Sequence, residues 1–190
     1  MHEHLTTEEQ QILLHLAREA MTIRVQGGKL PQLELASMPE SLREDGASFI
    51  TLTIGGELRG CVGALEPYQP LAEDVRMHAA AAALEDPRFA PVHERELSAI
   101  QIEVSRLTRP RALDYGDWTD LISQLRHQVD GIILRDGFGR RGTFLPQVWE
   151  KIPDPIEFLN HLCEKMGLKP DAWRTLHLDV YTYQVEEFHE

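Results

Sequence analysis

The chain has 190 residues, of which 42% are apolar and 26% are charged, and its formal net charge is −12. These values are typical of one globular domain or of one domain with a smaller lobe. The acidic balance disfavours binding to nucleic acid or an anionic membrane, because both depend on Lys and Arg. No apolar run reaches the ~18 residues of a membrane span, and the N-terminus does not resemble a signal peptide. We therefore expect a cytoplasmic protein.

The first predicted elements are a helix and a β-hairpin. Thr6 followed by Glu9 is a capping-box pattern, and apolar residues then recur at helical spacing until Gly27. Strands are predicted over 48–54 and 57–64 from their β-branched, alternating pattern. The two glycines between these strands predict a tight turn.

The middle and the end of the chain alternate between helical and strand-like patterns. A helix is predicted over 70–84, and a strand with one buried face over 100–107. The remaining predicted elements are a helix over 118–128, strands over 131–135 and 142–145, helices from Pro146 and Pro155, and a final strand over 176–185. We predict an α+β fold in which a smaller lobe, residues 110–172, is inserted into a larger lobe of residues 1–109 and 173–190. A cleft between lobes is a common ligand site.

The most informative segment is Leu58–Gly63, on the second predicted strand. Residues two apart on a strand share a face, which places Arg59 beside Cys61 and puts Leu58 on the opposite face. A neighbouring cation favours the thiolate form of a cysteine, so one interpretation is a reactive Cys61 with an anion-binding Arg59. The alternative is a buried cysteine and an arginine that pairs with a nearby carboxylate. Gly60 marks a bulge or the close approach of another backbone or a ligand.

This segment resembles the Leu-Arg-Gly-Cys-Ile-Gly signature of the AMME-syndrome candidate-gene domain family, with Val62 in place of isoleucine. In bacteria and archaea the family is called AmmeMemoRadiSam system protein A. Further stretches match it in order along nearly the whole chain, at residues 86–91, 103–105, 130–134, 143–149 and 162–168. The resemblance implies two lobes, each with an antiparallel sheet and flanking helices, and a signature that faces the cleft between them. It also implies gene association with a Memo-like protein and a radical-SAM enzyme.

Several other residues are candidates or are set aside. His78 and His93 are each a possible base for Cys61, and their spacing does not choose between them. Cys163 lies on an apolar helical stripe and is predicted to be in the core. The glycine-rich turn at 137–142 has the spacing of a dinucleotide fingerprint, but a strand follows it, so we predict a hairpin. His2 and the nearby His4 are interpreted as part of a frayed terminus, and no metal site is predicted.

Two hypotheses of function follow. The first is a cleft-binding protein, and specifically a cysteine-dependent enzyme that uses Cys61 on a polar or anionic substrate. The second is a noncatalytic adaptor that docks a Memo-like or radical-SAM partner. Neither hypothesis identifies a cofactor. The residues predicted to contact the substrate or the partner are Leu58, Arg59, Gly60, Val62, Gly63, Asp86, Arg88 and Glu103.

Overall fold

The computed structural model describes residues 4–190, so His2 lies outside the described residues. The chain divides into two compact units. The first contains the chain up to Thr108 together with Glu186–Glu190, and the second is Arg109–Val185. This division differs from the predicted lobes mainly at the second boundary, which the sequence pattern put after residue 172. The predicted cleft stays a prediction.

Helices and strands occupy both units. The helices are α1 (Thr7–Val25), α2 (Glu40–Arg43), α3 (Leu71–Leu84), α4 (Trp118–Gln124), α5 (Pro155–Lys165) and α6 (Ala172–Thr175). The strands are β1 (Asp45–Ile54), β2 (Glu57–Gly63), β3 (Gln69–Pro70), β4 (Ile100–Leu107), β5 (Arg111–Ala112), β6 (Gly131–Arg135), β7 (Arg141–Phe144), β8 (Asp179–Tyr183) and β9 (Val185–His189). Short 3₁₀ helices lie at Leu35–Ser37, Glu94–Glu96 and Pro146–Glu150.

The first unit is built on a sheet with the order β2-β1-β4-β9, and β3 pairs with the start of β1. Alternate residues of β1 and β4 are buried, among them Leu52 and Ile102, and they share one core with α1 and α3. The core face of α3 is rich in alanine, including Ala79 and Ala82. Small side chains let the backbone of α3 come close to the sheet. A residue of β2 that faces α3 at the closest approach must therefore be small.

The second unit has its own sheet, with the order β5-β8-β6-β7. Its core contains Ile132 and Leu134 from β6, together with Trp149, Phe158 and Trp173. The rings of Trp149 and Phe158 stack with their centroids 3.8 Å apart. Each unit therefore has a separate hydrophobic core beneath its own sheet.

Most of the predicted elements are confirmed. Thr6 caps α1, and the reciprocal hydrogen bonds between Thr6 and Glu9 form the predicted capping box. Gly55 and Gly56 both have positive φ and join β1 to β2 as a tight hairpin. Helices together with two antiparallel sheets confirm the α+β fold class.

The predicted final strand over 176–185 is wrong. The segment contains β8, which pairs with β5 and β6 in the second sheet, and the next strand, β9, neighbours β4 in the first sheet. Only the one residue Gln184 separates the two strands. Sequence periodicity identifies a strand but does not say which sheet it joins.

Within residues 4–190, no helix is long and apolar enough to cross a membrane.

Candidate functional site

Gly60 allows β2 to lie directly against α3. A Cβ atom at this position would overlap the carbonyl oxygen of Ala82, which belongs to the α3 backbone and cannot rotate away. The neighbouring Val62 faces the same core and packs against it, partly buried. Gly63 is equally constrained, because a Cβ there would overlap the carbonyl oxygen of Ser48. The two glycines of the signature are therefore explained by close backbone packing.

A β-bulge changes which residues of the signature share a face. Gly60 pairs with Leu52, but Leu58 pairs with Thr53, so Arg59 is the extra residue of the bulge. Leu58 consequently lies on the same face as Cys61, and its side chain is 43% exposed. The predicted position of Leu58 on the opposite face is wrong, since the strict period of two does not hold across a bulge.

Cys61 stands in a row of polar side chains on the sheet face opposite the helices. It pairs with Thr51 of β1, and Thr51 in turn pairs with Glu103 of β4. The side chains of these three residues, here called the Cys61 face, are all partly exposed. The Thr51 hydroxyl donates a hydrogen bond to the Cys61 Sγ atom at 3.6 Å. Glu103 lies two strands from Cys61, about 10 Å away at the usual strand spacing, which is beyond direct proton transfer.

Asp86 and Arg88 together cover the free edge of β2 at Cys61. The Cys61 N–H donates to Asp86 Oδ2 at 2.8 Å, and Arg88 Nη2 donates to the Cys61 carbonyl oxygen at 3.3 Å. Arg88 also forms a two-pronged ion pair with Asp86, with Nε–Oδ1 and Nη2–Oδ2 distances of 2.9 and 2.7 Å. The pair therefore supplies the donor and the acceptor that a neighbouring strand would otherwise provide.

The ion pair between Asp86 and Arg88 shifts the pKa of both groups so that both stay charged. The Arg88 side chain, helped by the Cys61 N–H, holds the pKa of Asp86 well below its usual value of 3.8. Asp86 in turn raises the pKa of Arg88, and the Cys61 thiol adds to that rise. The Asp86 side chain is only 3% exposed whereas that of Arg88 is 54% exposed. Within residues 4–190, Nη1 of Arg88 has no hydrogen-bond partner.

Arg59 is held on all three of its guanidinium nitrogens. Nε donates to Glu96 Oε1 at 2.8 Å and Nη2 to Glu96 Oε2 at 3.2 Å. Nη1 donates to the carbonyl oxygen of Ala90 at 3.0 Å, and Nη2 approaches that of Pro91 at 3.4 Å. The side chain is 17% exposed. Arg59 therefore fastens β2 to the segment that follows α3.

Within residues 4–190, neither His78 nor His93 forms a hydrogen bond with Cys61. His78 Nδ1 lies 3.2 Å from Asp74 Oδ2, and that buried carboxylate also accepts a hydrogen bond from Ser48. This cluster lies on the helix side of the sheet, so the sheet separates it from Cys61, and the hypothesis of His78 as its base is wrong. His93 is exposed, and its N–H donates to Glu96, the partner of Arg59.

The predictions for Cys163 and for the glycine-rich turn are confirmed in the second unit. Cys163 is fully buried, and its burial raises its pKa. The glycine-rich segment joins β6 to β7 as an antiparallel hairpin, with Asp136 accepting hydrogen bonds from the N–H groups of Phe138 and Arg140. Among the described residues, no group of three or more His, Cys, Asp or Glu side chains is arranged to hold a metal ion.

The structure adds two participants that the sequence pattern did not indicate. Thr51 contacts the Cys61 thiol, and Glu96 fixes Arg59. Thr51 was not identifiable, because the regular register of a two-glycine turn would pair it with Gly60, and only the bulge at Arg59 brings it opposite Cys61. Glu96 lies 37 residues from Arg59 in the short 3₁₀ helix Glu94–Glu96, and no local sequence signal predicts that contact.

The fold and the site define an α+β protein with a partly exposed cysteine on the edge strand of one of two sheets. A family model described as AMMECR1 matches residues 14–188, so the chain belongs to this family. It is 39% identical to a protein of Thermofilum pendens, covering 98% of this chain and 92% of that one, and 39% identical to a protein of Methanopyrus kandleri, covering 100% and 92%. The crystal structure of an uncharacterized protein from Pyrococcus horikoshii is similar, with a TM-score of 0.75, 33% identity, and 98% and 93% of the two chains covered.

Proposed function

We propose that this protein binds a polar or anionic ligand at the Cys61 face. The Cys61 sulfur then forms a bond to an electrophilic atom of the ligand, the thiol proton passes to solvent, and the bond from that atom to its leaving group breaks. The observation that carries the proposal is Arg88, whose Nη1 has no hydrogen-bond partner in the described part of the chain although the rest of its guanidinium is fixed beside Cys61. A fixed guanidinium with free N–H donors is suited to hold an anionic group next to a reacting atom.

The roles of the surrounding residues follow from their contacts. Asp86 orients Arg88 and the Cys61 backbone at once. Thr51 supplies a hydroxyl donor to the sulfur, which ties the side chain of Cys61 to β1. Arg59 is a structural residue in this proposal, because its nitrogens are already occupied. Leu58 offers an exposed apolar contact on the same face.

Alkylation of Cys61 by two reagents of similar size tests the proposal. Iodoacetate is anionic and iodoacetamide is neutral, so the ratio of their rates isolates the attraction of a negative charge to the site. In a Cys163→Ser background, we expect both reagents to react with Cys61 in the native protein. The rate with iodoacetate divided by the rate with iodoacetamide should be at least about tenfold higher than for the same cysteine in the unfolded chain. Arg88→Ala should remove this preference.

Arg59→Ala is the matched control, because it deletes the same charge near the same thiol from a position where every nitrogen is occupied. Circular dichroism establishes that each variant is folded before the rates are compared. If Cys61 reacts only after unfolding, the proposal is wrong, and the adaptor interpretation, which needs no reactive thiol, replaces it. Equal loss of the rate ratio in both variants would contradict the specific role of Arg88.

A further inference from the structure

Glu103 is the carboxylate of the Cys61 face, and the protein leaves it unpaired. Its side chain is partly exposed, and in the part of the chain that the structure describes it accepts no hydrogen bond and forms no ion pair. Thr51 lies between Glu103 and Cys61, but its hydroxyl donates to the Cys61 Sγ atom. The oxygens of Glu103 therefore keep their full capacity to accept hydrogen bonds from a ligand.

The basic residue of the same strand does not compensate this charge. Arg106 is the only Lys or Arg of β4, and it pairs with Glu186 at 2.8 Å. Because it is three residues from Glu103, it lies on the opposite face of the strand. The guanidinium with unused donors is that of Arg88, on the other side of Cys61. Cys61 thus stands between one positive and one negative group that are both available to a ligand.

The positions of these two groups set a length for the ligand. Glu103 lies two strands from Cys61, about 10 Å away at the usual strand spacing. Arg88 reaches the Cys61 carbonyl oxygen at 3.3 Å from the opposite direction, across the free edge of β2. Both side chains extend toward Cys61, so a molecule that contacts both has its own charges on the order of 10 Å apart.

Apolar groups lie on either side of this row of residues. Leu58 is 43% exposed on the Cys61 face. In the other direction along the strands, Phe49 pairs with Gly63, and a Cβ at Gly63 would lie 2.5 Å from the Phe49 ring. The partly exposed ring therefore covers Gly63 next to Cys61. Leu58 and Phe49 suit an uncharged stretch that joins the two charged ends of a ligand.

We infer that the substrate of the Cys61 face is a zwitterion, with its anionic group on Arg88, its ammonium group on Glu103 and an electrophilic atom at the Cys61 sulfur. This inference rests on the proposed function, because it assigns the two ends of the ligand around the same thiol. Charge-assisted hydrogen bonds hold both ends, and a substrate that is fixed at two points presents one atom to the thiol. Glu103 determines specificity in this arrangement and does not transfer a proton.

Protection of Cys61 from iodoacetamide tests the inference in the Cys163→Ser background. The probe is 8-aminooctanoate, whose charges lie about 10 Å apart in an extended chain. Its matched controls, octanoate and octylammonium, keep one charge each. We expect 8-aminooctanoate to halve the alkylation rate at a concentration at least about fivefold lower than either control, because only the zwitterion pairs with both side chains.

Triglycine separates the two sources of such a ligand, since it carries the same two charges on a peptide chain of similar length. Protection by triglycine at a lower concentration than 8-aminooctanoate assigns the site to short peptides. The reverse order assigns it to aliphatic amino acids.

Glu103→Gln should remove the advantage of 8-aminooctanoate over octanoate and leave the iodoacetate preference in place. Glu57→Gln is the matched control, since Glu57 is an exposed carboxylate of the same sheet that pairs with Ile54 on the helix side, and it should keep the advantage within about twofold. Equal protection by octanoate and 8-aminooctanoate, or equal effects of the two Glu variants, would overturn the inference. The iodoacetate preference and its loss in Arg88→Ala would then still support the proposed function, whereas a native Cys61 that does not react with iodoacetamide overturns both.

Discussion

Arg59 and Arg88 both lie next to Cys61, and each forms an ion pair with a carboxylate from the segment that follows α3. In the sequence they are equivalent candidates for binding an anion. In the structure Arg59 uses all three nitrogens on Glu96 and two backbone carbonyls, and its side chain is 17% exposed. Arg88 uses two nitrogens, and its side chain is 54% exposed.

This difference separates residues that hold the site from a residue that is available to a ligand. A guanidinium has five N–H donors, and the number that the protein leaves unused decides whether it can bind anything else. Arg59 and Gly60 fix β2 against its surroundings. Cys61 is partly exposed, and Arg88 is exposed and keeps N–H donors that could bind a ligand. The ion pair alone does not distinguish them, because both arginines have one.

The largest effect is expected where the strand is fixed against the helix. Gly60→Ala would drive a methyl group into the carbonyl oxygen of Ala82, and neither backbone can move without displacing the core. We expect the free energy of unfolding to fall by about 3 kcal/mol, at the upper end for overpacking in a core. Denaturant titration followed by circular dichroism measures this loss.

Gly116→Ala is the control for this prediction, because its Cβ would meet no atom closer than 3.8 Å. We expect it to change the free energy of unfolding by about 0.5 kcal/mol or less. Equal losses in the two variants would mean that Gly60 is not required by packing. The explanation would then have to come from a ligand that approaches the strand.

A smaller effect is expected from the residue that joins Arg88 to Cys61. Asp86→Asn keeps an oxygen acceptor for the Cys61 N–H but removes the charge that fixes Arg88. We expect a lower unfolding midpoint, with a smaller decrease than in Gly60→Ala, and a loss of the iodoacetate preference at Cys61. An unchanged rate ratio would show that Arg88 stays in place without Asp86, and the comparison between the two arginines would then rest on exposure alone.

The elements with strong local signals were predictable from the sequence. The Thr6 capping box, the two-glycine turn and the β4 alternation each depend on neighbouring residues, and the structure has all three. The separation of β8 from β9 was not predictable, because a single residue, Gln184, divides them and their sheet partners are distant in sequence. Local rules identify elements, and long-range pairing assigns them.

The candidate site shows the same limit at the level of single residues. The sequence indicated Cys61, Asp86 and Arg88, and the structure brings these three together. It did not indicate the bulge at Arg59, which moved Leu58 to the Cys61 face. A β-bulge is an extra residue in one strand relative to the strand it pairs with. The periodicity of a single strand therefore does not reveal it.

The smallest expected effect is on stability at low pH, and it comes from Glu96, the ion-pair partner of Arg59. The hydrogen bonds from Arg59, together with that from the His93 N–H, lower the pKa of Glu96 from 4.5 to about 2. A carboxyl group whose pKa is lower in the folded state stabilises the protein above its unfolded value, and this contribution disappears as the pH falls through the folded value. The contribution of Glu96 is thus complete above pH 4.5 and lost toward pH 2.

Thermal unfolding of Glu96→Gln across this range measures the contribution directly. We expect the variant to be less stable than the parent above pH 4.5, and the difference between them to shrink progressively toward pH 2. Glu94→Gln changes an exposed residue two positions earlier. Its stability difference from the parent should not change between pH 4.5 and pH 2 in this way. A difference between Glu96→Gln and the parent that is the same at pH 2 as at neutral pH would mean that the Arg59–Glu96 ion pair does not fix this side of β2. Arg59 would then be as available to a ligand as Arg88.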